Sequence, residues 1–176
     1  MIEDKYLTDA ITSLRVNWQD PGVGIVAAVL VGPHGQTVSS LSTYEGEGRF
    51  SHAEANALKL HFQWLGKVAP GTKAVVTLSP CIQLNPETRV GKSCTEMLLE
   101  NGISQVHVGH LDTFQLPSIA AYQELGLQVT VTEDPQLGSI CRALANLFGQ
   151  YVDRRQPGEN PWPEIKKEVG FPPFGK

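Results

Sequence analysis

Four residues in this chain have the types and spacing to carry out hydrolytic chemistry on a metal. His52 and Glu54 stand two apart in Ser51-His52-Ala53-Glu54, Cys81 follows Pro80, and twelve residues separate Cys81 from Cys94. His and Cys are zinc ligands, and three of them leave the fourth tetrahedral position open to water. Water is a weak nucleophile at neutral pH, but zinc lowers the pKa of its bound water from 15.7 to about 7. A glutamate that does not bind the metal can take up that proton and hand it to a substrate. The expectation is one Zn2+ per chain on His52, Cys81 and Cys94, with Glu54 as the catalytic proton carrier.

A His-x-Glu followed by Pro-Cys and a second Cys is the pattern of zinc enzymes that deaminate nucleobases. Here the usual two residues between the cysteines become twelve. Replacing a ring amino group by oxygen needs water to attack an electron-poor ring carbon and ammonia to leave. Glu54 would protonate the ring nitrogen and then the departing amine. The spacing Ser51-x-x-Glu54 also fits a helix capping box, so a capping role for Glu54 stays open. On a regular helix His52 and Glu54 would point about 200° apart. They can share a site only if it lies off the helix N-terminus.

The elements that must position these residues can be read in order. Tyr6, Leu7, Ala10, Ile11, Leu14 and Trp18 recur at helical spacing, and Asp20-Pro21-Gly22 ends that helix. Val23–Val31 (VGIVAAVLV) has the profile of a strand buried on both faces. Gly32–Gly35 reads as a turn and Gln36–Tyr44 as an antiparallel partner, followed by a loop over Glu45–Arg49. Ser51 is the expected N-cap of a helix over Ala53–Leu65. Lys73–Ser79 is a strand stopped by Pro80. Ser93–Asn101 is a short helix with a Ser93/Glu96 capping box, which places Cys94 at a helix start, where negative charge is favoured. Strands over Gln105–Gly109 and Leu127–Thr132, and helices over Leu116–Leu125 and Leu137–Tyr151, complete the body. This alternation predicts an α/β fold, a three-layer α/β/α sandwich on a mixed five-stranded sheet. The expected organisation is a deaminase-type domain over 1–155 and a Pro-rich extended arm over 156–176.

Composition narrows the partners. The net charge of −4 and only 14 scattered Lys and Arg argue against a nucleic-acid channel and for a small-molecule substrate. The longest apolar run, Ile25–Val31, is too short to cross a bilayer, so no membrane role is expected. The amino terminus lacks a signal-peptide pattern, and three cysteines, two of them in motif positions, suit a reducing cytoplasm. Cys141 reads as a packing residue, His34 as a turn residue and His61 as a helix-surface one. His107 and His110 flank a strand end, and His110 with Asp112 could line the pocket. The loop between the cysteines gathers Gln83, Asn85, Thr88, Arg89 and Lys92 before a helix N-terminus. It is either a solvated surface loop or a cover whose Arg89 and Lys92 grip a substrate phosphate.

From about Asp20 to Val131 the sequence resembles the cytidine deaminase superfamily, and within it the deaminase domain of riboflavin-biosynthesis enzymes. The likeness rests on Asp20-Pro-Gly-Val-Gly24, His52-Ala-Glu54-Ala-Asn-Ala-Leu58, Thr77-Leu-Ser-Pro-Cys81 and Gly91-Lys-Ser-Cys94 followed by Leu98, Gly102 and Ile103. It implies zinc on His52, Cys81 and Cys94, Glu54 as the proton shuttle, and a homodimer or homotetramer. Asp20 stands where that family has a pocket-lining Asn, and Ser79 where it has a Glu, so both are candidate substrate-binding positions. The implied activity is hydrolytic deamination of a pyrimidine- or purine-like base, nucleoside or nucleotide. Two rivals remain: a deaminase of RNA or single-stranded DNA, and a non-catalytic protein stapled by zinc.

Overall fold

A computed structural model of the chain describes residues 2–47, 49–82, 91–112, 118–154 and 156–173. The most apolar stretch sits at the centre. Strand β1 (Val23–Val31) pairs antiparallel with β2 (Thr37–Gly46) on one side and with β4 (Lys73–Leu78) on the other. Gly35, at φ 81°, makes the turn between β1 and β2 in the left-handed region that glycine enters without steric cost. Strands β5 (Gln105–His110) and β6 (Gln128–Val131) continue in parallel from β4, joined by helical crossovers. The sheet runs β3-β2-β1-β4-β5-β6.

Its sixth strand is β3 (Arg49–Ser51), which pairs with β2 where a loop leading into the motif was expected. The sheet is therefore mixed, as expected, but has six strands rather than five. Three residues carry too little periodicity to be read as a strand, and β3 exists because Thr43 and Tyr44 offer it a partner edge.

Alternation along β1 builds the three layers. Val23, Ile25, Ala27 and Val29 join a cluster with α1 (Ile2–Val16), α5 (Pro135–Arg154) and α6 (Trp162–Val169). Ala28 and Leu30 face α2 (Ala53–Leu65), α3 (Cys94–Glu100) and α4 (Ile119–Glu124) through Ala57, Leu98 and Tyr122. Period-2 side-chain alternation requires such a division once both faces are covered. Among the described residues no helix is long and apolar enough to cross a membrane.

Three expectations change here. The tail is not extended over Trp162–Val169: Pro163 sits in the first turn of α6, where its missing N–H costs nothing, and Trp162 and Ile165 enter the core. Lys166 is buried as well, its Nζ donating at 2.8 Å to the carbonyls of both Asp20 and Val23 above the Trp18 ring. His61 is buried rather than on the helix surface, its Nδ1 3.2 Å from the Gly66 carbonyl that ends α2. His107 lies inside β5, buried between Thr130 Oγ1 and the Asp4 carboxylate of α1.

Cys141 packs as expected, buried to the point that its thiol pKa is pushed up to about 12. It rests directly over Gly109, where an added Cβ would collide with the Cys141 side chain and stand 2.9 Å from the Thr77 carbonyl. Gly109→Ala is therefore expected to destabilise the fold by about 1–3 kcal/mol, the usual cost of overpacking. Urea unfolding reads this, and an unchanged midpoint would mean that α5 can shift away at no cost.

Candidate metal centre and cavity

The Ser51-His52-Ala53-Glu54 stretch spans a change of backbone state. Ser51 is the last residue of β3, so it does not cap α2; its Oγ donates to Asn56 Oδ1 at 2.6 Å. Asn56 in turn donates to the Leu41 carbonyl and to Thr43 Oγ1, which ties the first turn of α2 to β2. The cap position belongs to His52, in extended backbone (φ −73°, ψ 149°) and with no side-chain capping bond. The helical divergence of about 200° between positions two apart thus does not apply, because His52 is not yet helical. Glu54, inside the first turn and 3% exposed, is free of the capping box that Ser51 would have required.

Helix α3 brings the second half. Ser93 caps it through the Ser93/Glu96 capping box anticipated from the spacing, with the Ser93 N–H donating to Glu96 Oε2 at 2.8 Å. Cys94 is its first residue, and the Cys94 N–H donates to Cys81 Sγ at 3.1 Å while Thr95 N–H donates to the Cys81 carbonyl. Just before Cys81, the buried Tyr122 hydroxyl donates to the Pro80 carbonyl at 2.6 Å and pins the turn out of β4. Two helix starts and one strand end therefore meet at a point, as the two-element spacing required.

His52, Cys81 and Cys94 offer ligand atoms that all lie within 4.8 Å of one another, with Cys94 Sγ 3.2 Å from His52 Nδ1. A tetrahedral zinc with ordinary Zn–S and Zn–N bonds needs S···N and S···S separations of about 3.6 and 3.8 Å. The donor set and its spacing fit that ion. Among the described residues the group numbers three, which suits a site with one position left for water or substrate.

The electrostatics agree with a ligand set that exchanges protons for a cation. The His52 ring is held above its ordinary pKa, first by its hydrogen bond with Cys81 and against the cost of burial. The Cys81 thiol is drawn down, chiefly by the hydrogen bond from Cys94, with His52 adding to it. Cys94, giving that hydrogen bond and buried, is pushed up. Burial raises the Glu54 carboxyl above the usual range, opposed by His52 and by a hydrogen bond from the Cys94 thiol. Glu54 is thus next to the donor set and inclined to hold a proton.

His52 and Cys81 of this centre, together with Glu54, line a cavity of about 370 Å³. Ser79 and Asp112 line it, and the Asp112 N–H donates to Ser79 Oγ at 2.8 Å. Asp20, Lys92 and His110, also expected at the substrate, are not in its lining. Asp20 accepts from the Gly22 N–H in its own turn, and Lys92 pairs with Glu100 at 2.6 Å in solvent. His110 ends β5 beside the cavity but is not part of its lining. Arg89, with Gln83, Asn85 and Thr88, lies outside the described residues.

Sequence reading missed the aromatic wall of the cavity. Phe50 comes from β3, Phe148 and Tyr151 from α5, and Trp162 from the start of α6. The signal present was two aromatics three apart and a Trp in a Pro-rich tail, which marks a helix face but does not say what it faces.

A family model described as the cytidine and deoxycytidylate deaminase zinc-binding region matches residues 1–110. No curated protein matches the sequence. A diaminohydroxyphosphoribosylaminopyrimidine deaminase/5-amino-6-(5-phosphoribosylamino)uracil reductase from Thermotoga maritima has a similar structure, at 22% identity and a TM-score of 0.62. That match covers 89% of this chain and 44% of the other, so the chain spans less than half of that protein's length. RibD of Acinetobacter baumannii matches at 23% identity and a TM-score of 0.56, over 84% of this chain and 38% of its own. The dCMP deaminase of cyanophage S-TIM5 matches at 21% identity and a TM-score of 0.51, over 74% of this chain and 97% of its own. Identities this low establish the shared fold.

Proposed function

Since the chain belongs to the family of the cytidine and deoxycytidylate deaminase zinc-binding region, we propose that it is a zinc-dependent hydrolytic deaminase acting on an amino-substituted pyrimidine- or purine-like ring. The observation that carries this reading is the meeting of His52, Cys81 and Cys94, with a buried Glu54 beside them, at a cavity that His52, Glu54 and Cys81 line. When bound there, zinc would supply an activated water, since it brings the pKa of coordinated water to about 7.

The protein's own groups do the rest. Glu54 takes a proton from water and gives it to the ring nitrogen, which makes the adjacent carbon a better electrophile. After addition, Glu54 takes the remaining proton from the added hydroxyl and passes it to the amino group, the C–N bond breaks and ammonia leaves. The balance is one water consumed, one ammonia released and a carbonyl in place of the amine. Burial suits Glu54 to this role, because it raises the carboxyl above its ordinary range and so favours holding the proton between the two transfers. A group of three ligands among the described residues, with a carboxyl beside it, favours catalysis over a structural staple, which would close the metal with a fourth protein ligand.

The test is ammonia release from a panel of bases, nucleosides and nucleotides. At least one amino-heterocycle should yield ammonia, a zinc chelator should abolish the release, and added zinc should restore it. A protein that carries stoichiometric zinc and releases ammonia from none of them would not be a deaminase of this kind.

A further inference from the structure

The segment that carries α6 lies outside the family-matched region and is fastened to the turn over 20–23, where the chain enters β1. The Lys166 ammonium donates to the Asp20 and Val23 carbonyls, at 2.8 Å each. The Trp18 indole N–H donates back to the Lys166 carbonyl at 3.0 Å. Asn160 Nδ2 donates to the Pro21 carbonyl at 3.0 Å, and its Oδ1 accepts the Trp162 N–H. The carbonyls of Asp20, Pro21 and Val23 thus all take a side-chain donor from this segment, while that of Gly22 accepts the Tyr44 N–H.

The turn leads into an irregular end of β1. Its register with β2 shifts between Val23 and Ala27, and its pairing with β4 runs from Ala28 to Val31. In the interval side chains stand in for the ladder: the Val26 N–H goes to Ser42 Oγ and the Ala27 N–H to Thr77 Oγ1. A strand bends where its ladder is interrupted, so its position there is set by whatever holds its end. Ile25 and Val26 of this stretch line the cavity, and so does Trp162, four residues ahead of Lys166 on α6. Residues at that spacing share one helix face. Lys166 therefore joins two parts of the cavity lining that are far apart in sequence.

Burying an ammonium costs desolvation that an apolar anchor would avoid. Lys166 is 1% exposed, and burial lowers its pKa, opposed by the charge of Asp20. What the ammonium adds is direction. Its two short bonds to carbonyls and its place over the Trp18 ring, 5.6 Å from the centroid, are satisfied together in one docking position of α6.

We propose that Lys166 is a positioning residue for substrate binding: it clamps α6 to the entry of β1 and so holds Trp162 and the Ile25 and Val26 edge of the cavity at one fixed spacing. This role rests on the reading of the cavity as the substrate site; the clamp itself does not.

The test uses the zinc-loaded full chain. Lys166→Met keeps the length of the stem and removes the donors. With the best substrate from the ammonia panel, it should raise KM by about tenfold or more and leave kcat within about twofold, the pattern of lost binding rather than a lost chemical step. Zinc content should be unchanged. Hydrogen exchange should quicken in α6 and over 23–27 together, with α2 and α3 unaffected. Asn160→Asp keeps the acceptor for the Trp162 N–H and removes the donor to Pro21. It sits at a half-buried position, so it decides the matter if Lys166→Met fails to fold, and it should raise KM and exchange in the same places by less. An unchanged KM at a lowered melting temperature, a fall in kcat larger than the rise in KM, or faster exchange in α6 alone would overturn the proposal. A wild type that releases ammonia from nothing sinks the deaminase reading instead. The exchange pattern then still decides the clamp: joint quickening of α6 and 23–27 supports it, and α6 alone refutes it.

Discussion

Glu54→Gln is expected to keep its zinc and lose turnover by about 10²–10⁴, the usual range for removing a general acid–base group. Three features separate this residue's chemistry from metal binding. It is outside the three-ligand group, so the metal has no direct need of it. It does not close a capping box, because Ser51 lies in β3 and is engaged by Asn56 of α2, so the amide should not unravel the start of α2. It is buried beside the donor set, where its raised pKa comes from burial first. Glutamine keeps the shape and removes the proton. Zinc content by atomic absorption and ammonia release by a coupled assay read the two properties independently. Near wild-type turnover in Glu54→Gln would remove Glu54 from the mechanism, and loss of zinc would make it part of the metal site.

Cys94→Ala should lose the metal and, with it, much of the stability of the motif region. Cys94 is 1% exposed at the first position of α3, its Sγ 3.2 Å from His52 Nδ1 and its N–H on Cys81 Sγ. Removing the sulfur breaks the ligand set at its centre. Bound metal stabilises only the folded state, and the effect is on the order of 4 kcal/mol when free zinc is about a thousandfold above its Kd. The variant should therefore melt below the wild type in the presence of zinc and be indifferent to added chelator, while chelator lowers the wild-type midpoint. Cys81→Ala should behave alike. Cys141→Ala, on the far face of the sheet against Gly109, should keep one zinc per chain and lose only packing. Full zinc retention by both Cys81→Ala and Cys94→Ala would place the metal elsewhere.

Local chemistry was enough to determine much of this protein. Val23–Val31 is apolar at every position but its glycine, so it could only be a strand covered on both faces. Ser93 and Glu96 announced the start of α3 through their spacing, because capping is a contact between residues three apart. His52, Glu54, Cys81 and Cys94 were legible because only a few residue types bind zinc or carry protons, and each stood at an element end. Tertiary structure decided what depends on residues distant in sequence. The three residues of β3 are a strand only because β2 offers an edge, and by pairing they shift the cap of α2 from Ser51 to His52. His107 is buried against Asp4 of α1, a partner 103 positions away that no local pattern announces. The aromatic wall is the furthest case. Trp162 lies 108 positions beyond Glu54, and it shares the cavity only because α6 folds back along the sheet, held by Lys166 at the start of β1. Helical and strand periods report which face of an element is buried. What that face meets is set by the packing of the whole chain, and in this protein that packing brings the aromatic wall to the cavity that Glu54 lines.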